Sequence, residues 1–165
     1  MNKRIRQFLK ESKKKLKRRL RRKQYEDQPK PMFKAANITY TISEKVEAIG
    51  YGGIGVMHTL VRRLKLDRAI NQALRLLKVH VPYHESDHVL NMAYNVLCGG
   101  TCLEDIERLR NDETYMNSLA AERIPDPTTA GDFLRRFDEA SLLALQEAIN
   151  DTRRKVWAKQ GRAFR

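Results

Sequence analysis

The chain has 165 residues, of which 41% are hydrophobic and 32% charged, so it can form one packed domain with a highly charged surface. The net charge is +13, and two cysteines are too few for the disulfide framework of a small secreted protein. No run approaches the ~20 apolar residues of a membrane span, and the basic N-terminus lacks the apolar core of a signal peptide. We therefore expect a reduced, cytoplasmic setting without a membrane.

Nearly all of the net charge lies in residues 1–23, which carry 13 of the 33 Lys/Arg residues and one of the 20 acidic residues. The apolar residues of this block fall on one stripe at helical spacing, which predicts a basic helical arm. Repulsion among its cations opposes the helix, so we expect it to order only on binding. Such a block attracts polyanions, although a solvated tail is the plain alternative. The predicted nucleic-acid contacts are Lys13, Lys14, Lys15, Lys17, Arg18, Arg19, Arg21 and Arg22.

Pro29 and Pro31 mark a linker, which divides the chain into an arm with its linker (1–31) and a domain (32–165). The β-branched, alternating residues 38–42 predict one short β-strand. Beyond it the pattern is helical throughout. We therefore predict a mainly α fold, a compact multi-helix domain with a helix-turn-helix-like segment.

Several local signals set the predicted helix ends. Gly52 and Gly53 open the first helix of the domain, and Asp67 is predicted to cap the second. Ser86 is predicted to cap a helix that ends at Gly99 and Gly100. This helix reads as apolar nearly all round, so we expect it to cross the centre of the domain.

The segment 101–137 carries the helix-turn-helix-like pattern. Thr101 and Glu104 form a predicted capping box, and a Pro-rich turn leads into a helix over 128–137. This helix is the candidate for DNA recognition, because Thr128 and Thr129 at its start are small and polar. Its exposed cations would be Arg135 and Arg136. Its apolar anchors would be Phe133, Leu134 and Phe137. A long last helix is predicted from 138–141 to about 159.

The run Pro127-Thr128-Thr129-Ala130-Gly131-Asp132-Phe133-Leu134-Arg135-Arg136-Phe137 resembles a segment of insertion-sequence transposases of the DDE class, particularly the group-1 DDE family. The similarity extends over residues 36–160, with Gly52-Gly53, Ser86-Asp87-His88-Val89-Leu90, Gly99-Gly100, Glu104-Asp105, Leu109-Arg110 and Val156-Trp157 as its other marks. The resemblance implies a protein that recognises the ends of a mobile element in double-stranded DNA. It also implies a catalytic core in which carboxylates hold divalent metal such as Mg²⁺.

In that family the catalytic carboxylates lie C-terminal to the matched region, so we expect this chain to end before them. The acids present are explained by helix caps and surface pairs. We therefore assign no catalytic residue, no cofactor and no metal to this chain, and expect it to be inactive alone.

Other interpretations stay open at this stage. The chain could be a small, non-enzymatic helical DNA-binding regulator that forms a homodimer through its last helix, a membrane-surface protein, or a complete metal-dependent nuclease. Gly50, Gly52 and Gly55 match a dinucleotide fingerprint, but a helix follows where a βαβ unit needs a strand. Five residues could form a zinc site, or could be surface imidazoles and buried thiols without a metal: His80, His84, His88, Cys98 and Cys102.

Overall fold

The computed structural model describes residues 10–11, 30–34, 51–80 and 82–160. These residues form α-helices and one 3-10 helix, without a strand, which confirms the mainly α prediction. The predicted strand 38–42 lies outside the described residues, as does most of the predicted arm helix, of which Lys10 and Glu11 are described and helical. The helices are α1 (Ile54–Leu64), α2 (Leu66–Ala73), α3 (Glu85–Leu97), the 3-10 helix (Leu103–Asp105), α4 (Ile106–Asn111), α5 (Glu113–Ser118), α6 (Pro127–Leu134) and α7 (Glu139–Ala158).

The first two helices are separated by one residue, Lys65, whose φ of 58° is left-handed and ends α1. Ile54, His58 and Val61 form the buried face of α1. Asp67 does not cap α2, as its sequence position predicts, but lies in the first turn. Its buried carboxylate pairs with Arg62, at 2.6 Å between Oδ2 and Nη1. Helix α2 packs against both α3 and α7.

The start of α3 differs from the prediction, while its end agrees. The N-cap is His84 rather than Ser86, because the His84 N–H donates to Asp87 Oδ2 at 2.9 Å. The Ser86 N–H instead donates to Asn71 Oδ1 at 2.7 Å. At the other end Gly99 has a φ of 82°, which glycine adopts without strain. This conformation lets the Gly100 N–H donate to the carbonyl of Asn95 at 2.8 Å, a Schellman-type end.

The buried face of α3 combines the core residues Leu90 and Tyr94 with several polar side chains, so the expectation of a helix apolar nearly all round is wrong. Its residues Val96 and Leu97 are 69% and 58% exposed, because the helix turns them to the surface. Besides His88, five polar residues of α3 are buried, and we call them the polar spine: Glu85, Ser86, Asp87, Asn91 and Asn95. Each member bonds to a group outside the helix, which offsets the cost of burying it.

The remaining helices follow their caps. Asp126 and Asp138 accept hydrogen bonds from the third residue beyond them and begin α6 and α7, and α7 covers the predicted range. In the predicted capping box Asp105, not Glu104, accepts from the N–H of Thr101 at 2.8 Å. The core lies beneath these helices, with Phe33, Tyr94, Ile106, Leu109, Tyr115, Leu119, Ile124 and Phe133 fully buried.

Two further predictions concern a helix-turn-helix motif and the absence of a membrane span. The loop 119–126 between α5 and α6 is longer than the 3–4-residue turn of a helix-turn-helix, so that motif stays a prediction. None of the helices in the described ranges has both the length and the apolar character needed to cross a membrane.

Candidate nucleic-acid interface

An open groove with a volume of about 670 Å³ lies where the chain enters the domain. Residues 30–34 form one wall, and α1, α2 and the start of α3 form the others. Its lining carries four Lys/Arg side chains and a single carboxylate. They are Lys30, Lys34, Arg62, Arg68 and Asp67. A groove with this charge balance raises the local concentration of anions.

The wall formed by residues 30–34 is held by the polar spine. The N–H of Met32 donates to both carboxylate oxygens of Asp87, at 2.8 and 2.9 Å, and the N–H of Phe33 donates to Oδ1 at 3.3 Å. Burial raises the pKa of Asp87, while the N–H groups of His84, Met32 and Phe33 act in the opposite direction. Asp87 thus fixes the two neighbouring lysines, Lys30 and Lys34, at the edge of the groove.

The side chains in this wall also pack into the core. The ring of Phe33 stacks on Tyr94 with centroids 5.5 Å apart and meets the edge of His58 at the same distance. His58 Nδ1 lies 2.8 Å from the hydroxyl of Tyr94. Met32 and Phe33 are 4% and 1% exposed. The segment therefore belongs to the packed domain, and its position does not depend on surface contacts alone.

Two of the lining cations have described carboxylate partners, one in a close pair and one in a loose, exposed pair. Arg62 is paired with Asp67, so its charge is largely balanced. Lys34 Nζ lies 3.8 Å from Glu122 Oε1, and its side chain is 47% exposed. Exposed pairs of this kind contribute at most about 1 kcal/mol, so a phosphate can replace the carboxylate. The groove can hold an anion without first breaking a strong interaction.

The predicted recognition helix, α6, is shorter than the expected 128–137: it ends at Leu134, and Arg135 and Arg136 follow it on the surface. Arg135 is exposed and pairs with Asp132 at 2.6 Å, and Arg136 Nη1 donates to the carbonyl of Leu76 at 3.4 Å. Phe133 is buried and Phe137 partly buried, as predicted. Leu134 is not an apolar anchor: it is 43% exposed, because α6 ends there and its side chain faces away from the core.

The start of α6 carries a negative charge. Asp126 accepts from both the N–H and the hydroxyl of Thr129, at 2.8 and 3.0 Å. Partial burial acts to raise the pKa of Asp126, but the hydrogen bonds from Thr129, the charge of Arg110 and the N–H of Thr128 together outweigh it, and the pKa lies below its usual value. Thr129 is thus engaged in the cap, whereas Thr128 is exposed. The arm residues from Lys13 to Arg22 lie outside the described residues.

The structure does not bring the five candidate zinc ligands together. His88 is buried, where its ring stacks on Phe133 with centroids 4.3 Å apart, and Cys102 is exposed. Cys98 is partly buried, and burial raises its pKa. Within the described ranges the possible ligands that converge are His80, His84 and Glu85. The prediction of surface imidazoles is therefore wrong for His88, and that of buried thiols is wrong for Cys102.

The sequence did not point to the groove. Lys30 lies in an apparent linker, and Arg62 and Arg68 follow ordinary helical surface spacing, so nothing local marks them as one site. The signal that existed was a buried-type aromatic, Phe33, directly beside the proline-rich segment. Comparison with protein-family models, with curated proteins and with solved structures finds no match to this chain.

Burial of two histidines predicts acid sensitivity. Burial lowers the pKa of both His58 and His88 to about 4, and Arg136 adds to the effect at His88. Below the unfolded value of about 6.5 the unfolded chain binds more protons, so stability falls as the pH drops from 6.5 towards 4. We expect each histidine to cost about 2 kcal/mol of unfolding free energy between pH 7 and pH 5.

Urea unfolding of the wild type and His88→Phe at both pH values measures this cost. The variant should lose about 2 kcal/mol less than the wild type between pH 7 and pH 5. Tyr115→Phe is the control, because it changes a buried ring of similar size without a group that titrates in this range. Identical pH dependence of the wild type and His88→Phe would contradict the assignment.

Proposed function

We propose that this chain binds double-stranded DNA as the N-terminal, DNA-recognising portion of an insertion-sequence transposase of the DDE class. The observation that carries the proposal is a pair of cationic regions, the arm and the groove, separated in the sequence by residues 24–29. Residues 1–23 hold nearly all the net charge of the sequence, and the chain then enters the domain at residues 30–34, beside the cationic groove. Duplex DNA carries phosphates along its whole length, so one duplex can contact both regions.

The two cationic regions have the same role in this proposal. Lysines and arginines of the arm neutralise backbone phosphates, and Lys30, Lys34 and Arg68 continue that contact on the domain. Phosphate contacts fix the position and orientation of a protein on DNA, but they carry little sequence information. Recognition of element ends therefore needs a second element that reaches the base edges.

Helix α6 is the element that we assign to this recognition. Its surface side offers Thr128, while Arg135 and Arg136 follow its last turn, and its buried side is fixed by Phe133 against His88. The Asp126 cap repels phosphate from the N-terminus of α6. The contact with DNA is therefore expected through Thr128 and the arginines rather than through the N–H groups of the first turn. Arginine suits the task because it bonds guanine with two donors.

A second candidate is a helical DNA-binding regulator that dimerises through α7. The observation favouring it is the exposure of large apolar side chains on that helix, with Leu142 and Leu143 each 57% exposed and Trp157 55% exposed. The two functions differ in the gene beyond residue 165. A frame that continues with spaced Asp, Asp and Glu codons supports the transposase, and a stop codon supports the regulator.

The paired variant Arg135→Ala with Arg136→Ala tests the proposed reading helix. We expect it to reduce the preference for element-end sequences over random duplex about 10-fold or more, because each good arginine–base pair contributes roughly 1–3 kcal/mol of discrimination. Competition binding against labelled end sequences measures that ratio. If the variant instead loses affinity equally for both DNAs, these arginines contact only the DNA backbone.

The control for that experiment removes the same charge elsewhere. Arg153→Ala with Lys155→Ala deletes two exposed cations of α7 and should leave the preference ratio unchanged. A wild-type chain that fails to bind duplex DNA even at low salt would overturn the proposed function itself.

A further inference from the structure

We propose that His80, His84 and Glu85 form a divalent metal site that takes Zn²⁺. One possible ligand atom from each of the three side chains lies within 4.8 Å of the others. Bonds of about 2.0–2.2 Å to one ion would place the ligand atoms roughly 3.4 Å apart, so small side-chain rotations close the site. The distance from His80 Nε2 to Glu85 Oε2 is already 3.2 Å.

The carboxylate of Glu85 is held in place for such a role. The residue is 2% exposed, and its Oε1 accepts from the N–H of Leu77 at 3.1 Å. This bond from the backbone fixes the carboxylate and leaves Oε2 directed at the imidazole of His80. A hydrogen bond from outside the site that orients a ligand oxygen is the usual support for a metal ligand.

The two imidazoles are arranged side by side. The rings of His80 and His84 are nearly parallel, at 7°, with centroids 4.1 Å apart. A possible ligand nitrogen of each ring lies within 4.8 Å of the other, so a single ion can bind both rings. Such an ion binds imidazole in its neutral form and supplies the positive charge that the buried carboxylate attracts.

The ligand set indicates which ion is expected. Two histidines and one carboxylate are the protein ligands of open zinc sites, in which water or another ligand takes the fourth position. Ferrous ion also uses two histidines and a carboxylate, but it binds sites of this kind more weakly than zinc. Zn²⁺ is therefore the probe of choice.

An ion at this position would have two structural consequences. It would strengthen the link between the segment that follows α2 and the start of α3, where the N–H of Leu77 already donates to Glu85. His84 also lines the cationic groove, so the ion would add positive charge at the edge of that groove. The proposed metal site does not rest on the proposed DNA binding, and its test measures metal binding without DNA.

The test uses the full-length chain without an affinity tag, stripped of metal by a chelator. Co²⁺, which gives visible absorption bands in a four-coordinate site, is titrated first, and Zn²⁺ is then added in competition. We expect one ion per chain and displacement of Co²⁺ by Zn²⁺. His80→Gln should weaken binding at least about 100-fold, since loss of even an outer partner of a ligand costs 10–100-fold.

Further variants make the outcome decisive. His84→Gln should have the same effect as His80→Gln, and His80→Gln decides the matter if His84→Gln fails to fold by circular dichroism. Cys102→Ser removes an exposed thiol outside the site and should bind Zn²⁺ as the wild type does. The proposal is overturned by a wild-type chain that binds no Co²⁺, by binding that survives His80→Gln, or by binding that Cys102→Ser abolishes.

Discussion

Removing the charge of the N-terminal arm is expected to weaken binding to duplex DNA about 10³-fold at moderate salt, whatever the DNA sequence. The reason is the release of counterions. Proteins with 6–10 phosphate contacts depend on salt so steeply that they lose about 10³–10⁵ in affinity between 50 and 200 mM. The arm carries 13 Lys/Arg residues in 1–23 and is the densest source of such contacts in the sequence. The domain alone should keep only weak binding through its groove.

The sharpest version of this experiment keeps the chain length constant. Eight cations are changed to Gln in the full-length protein, and binding to two unrelated duplexes is followed by fluorescence anisotropy over a range of salt. The logarithmic salt slope should become shallower by up to about 7, at roughly 0.9 per phosphate contact. The residues changed are Lys13, Lys14, Lys15, Lys17, Arg18, Arg19, Arg21 and Arg22. Deletion of residues 1–23 should act in the same direction.

The same assay separates the groove from the arm. Lys30→Gln with Arg68→Gln should reduce the slope by about 2 in a chain whose arm is intact. Arg153→Gln with Lys155→Gln removes two cations from α7 and serves as the matched control. If the salt slope stays the same without the arm cations, the arm is not part of the interface. If the groove variant has the same slope as the control, the groove is not part of it.

The helix ends that the sequence predicts well are those set by neighbouring residues. The end of α3 is set by Gly99, which adopts the left-handed backbone conformation that ends a helix. The last helix begins after Asp138, whose carboxylate bonds to the N–H of Ser141 three residues on. Signals of this kind are complete within one turn of helix, so periodicity and capping chemistry suffice.

The groove could not be predicted in this way because its parts are distant in the sequence. The bonds from Met32 to Asp87 span 55 residues, and no local pattern links the two. The acid at position 87 looks like an ordinary residue of a first helical turn. Only the fold shows that it is buried and that it positions the lysines of the entry segment. The burial of polar residues on α3 could not be predicted for the same reason, since their hydrogen-bond partners lie on other elements.

Asp87→Ala is expected to destabilise the domain by about 4 kcal/mol. The carboxylate accepts from the N–H groups of Met32, Phe33 and His84, and its removal leaves two buried donors and one partly buried donor without this acceptor. Each unsatisfied buried donor costs about 1–3 kcal/mol, a large part of the roughly 5–15 kcal/mol that stabilises a typical domain. Urea unfolding at pH 7 measures the loss. Asp87→Asn keeps one acceptor oxygen and should lose less.

A double-mutant cycle distinguishes this specific role from general damage to the core. Phe33→Ala removes a fully buried ring from the same segment and should cost about 3–5 kcal/mol alone. If Asp87 acts by holding residues 30–34 in place, the second substitution has less left to disrupt once the first has released the segment. The double variant should therefore lose at least about 1 kcal/mol less than the sum of the single losses. Strict additivity would mean that the carboxylate stabilises the start of α3 alone and does not hold the wall of the groove.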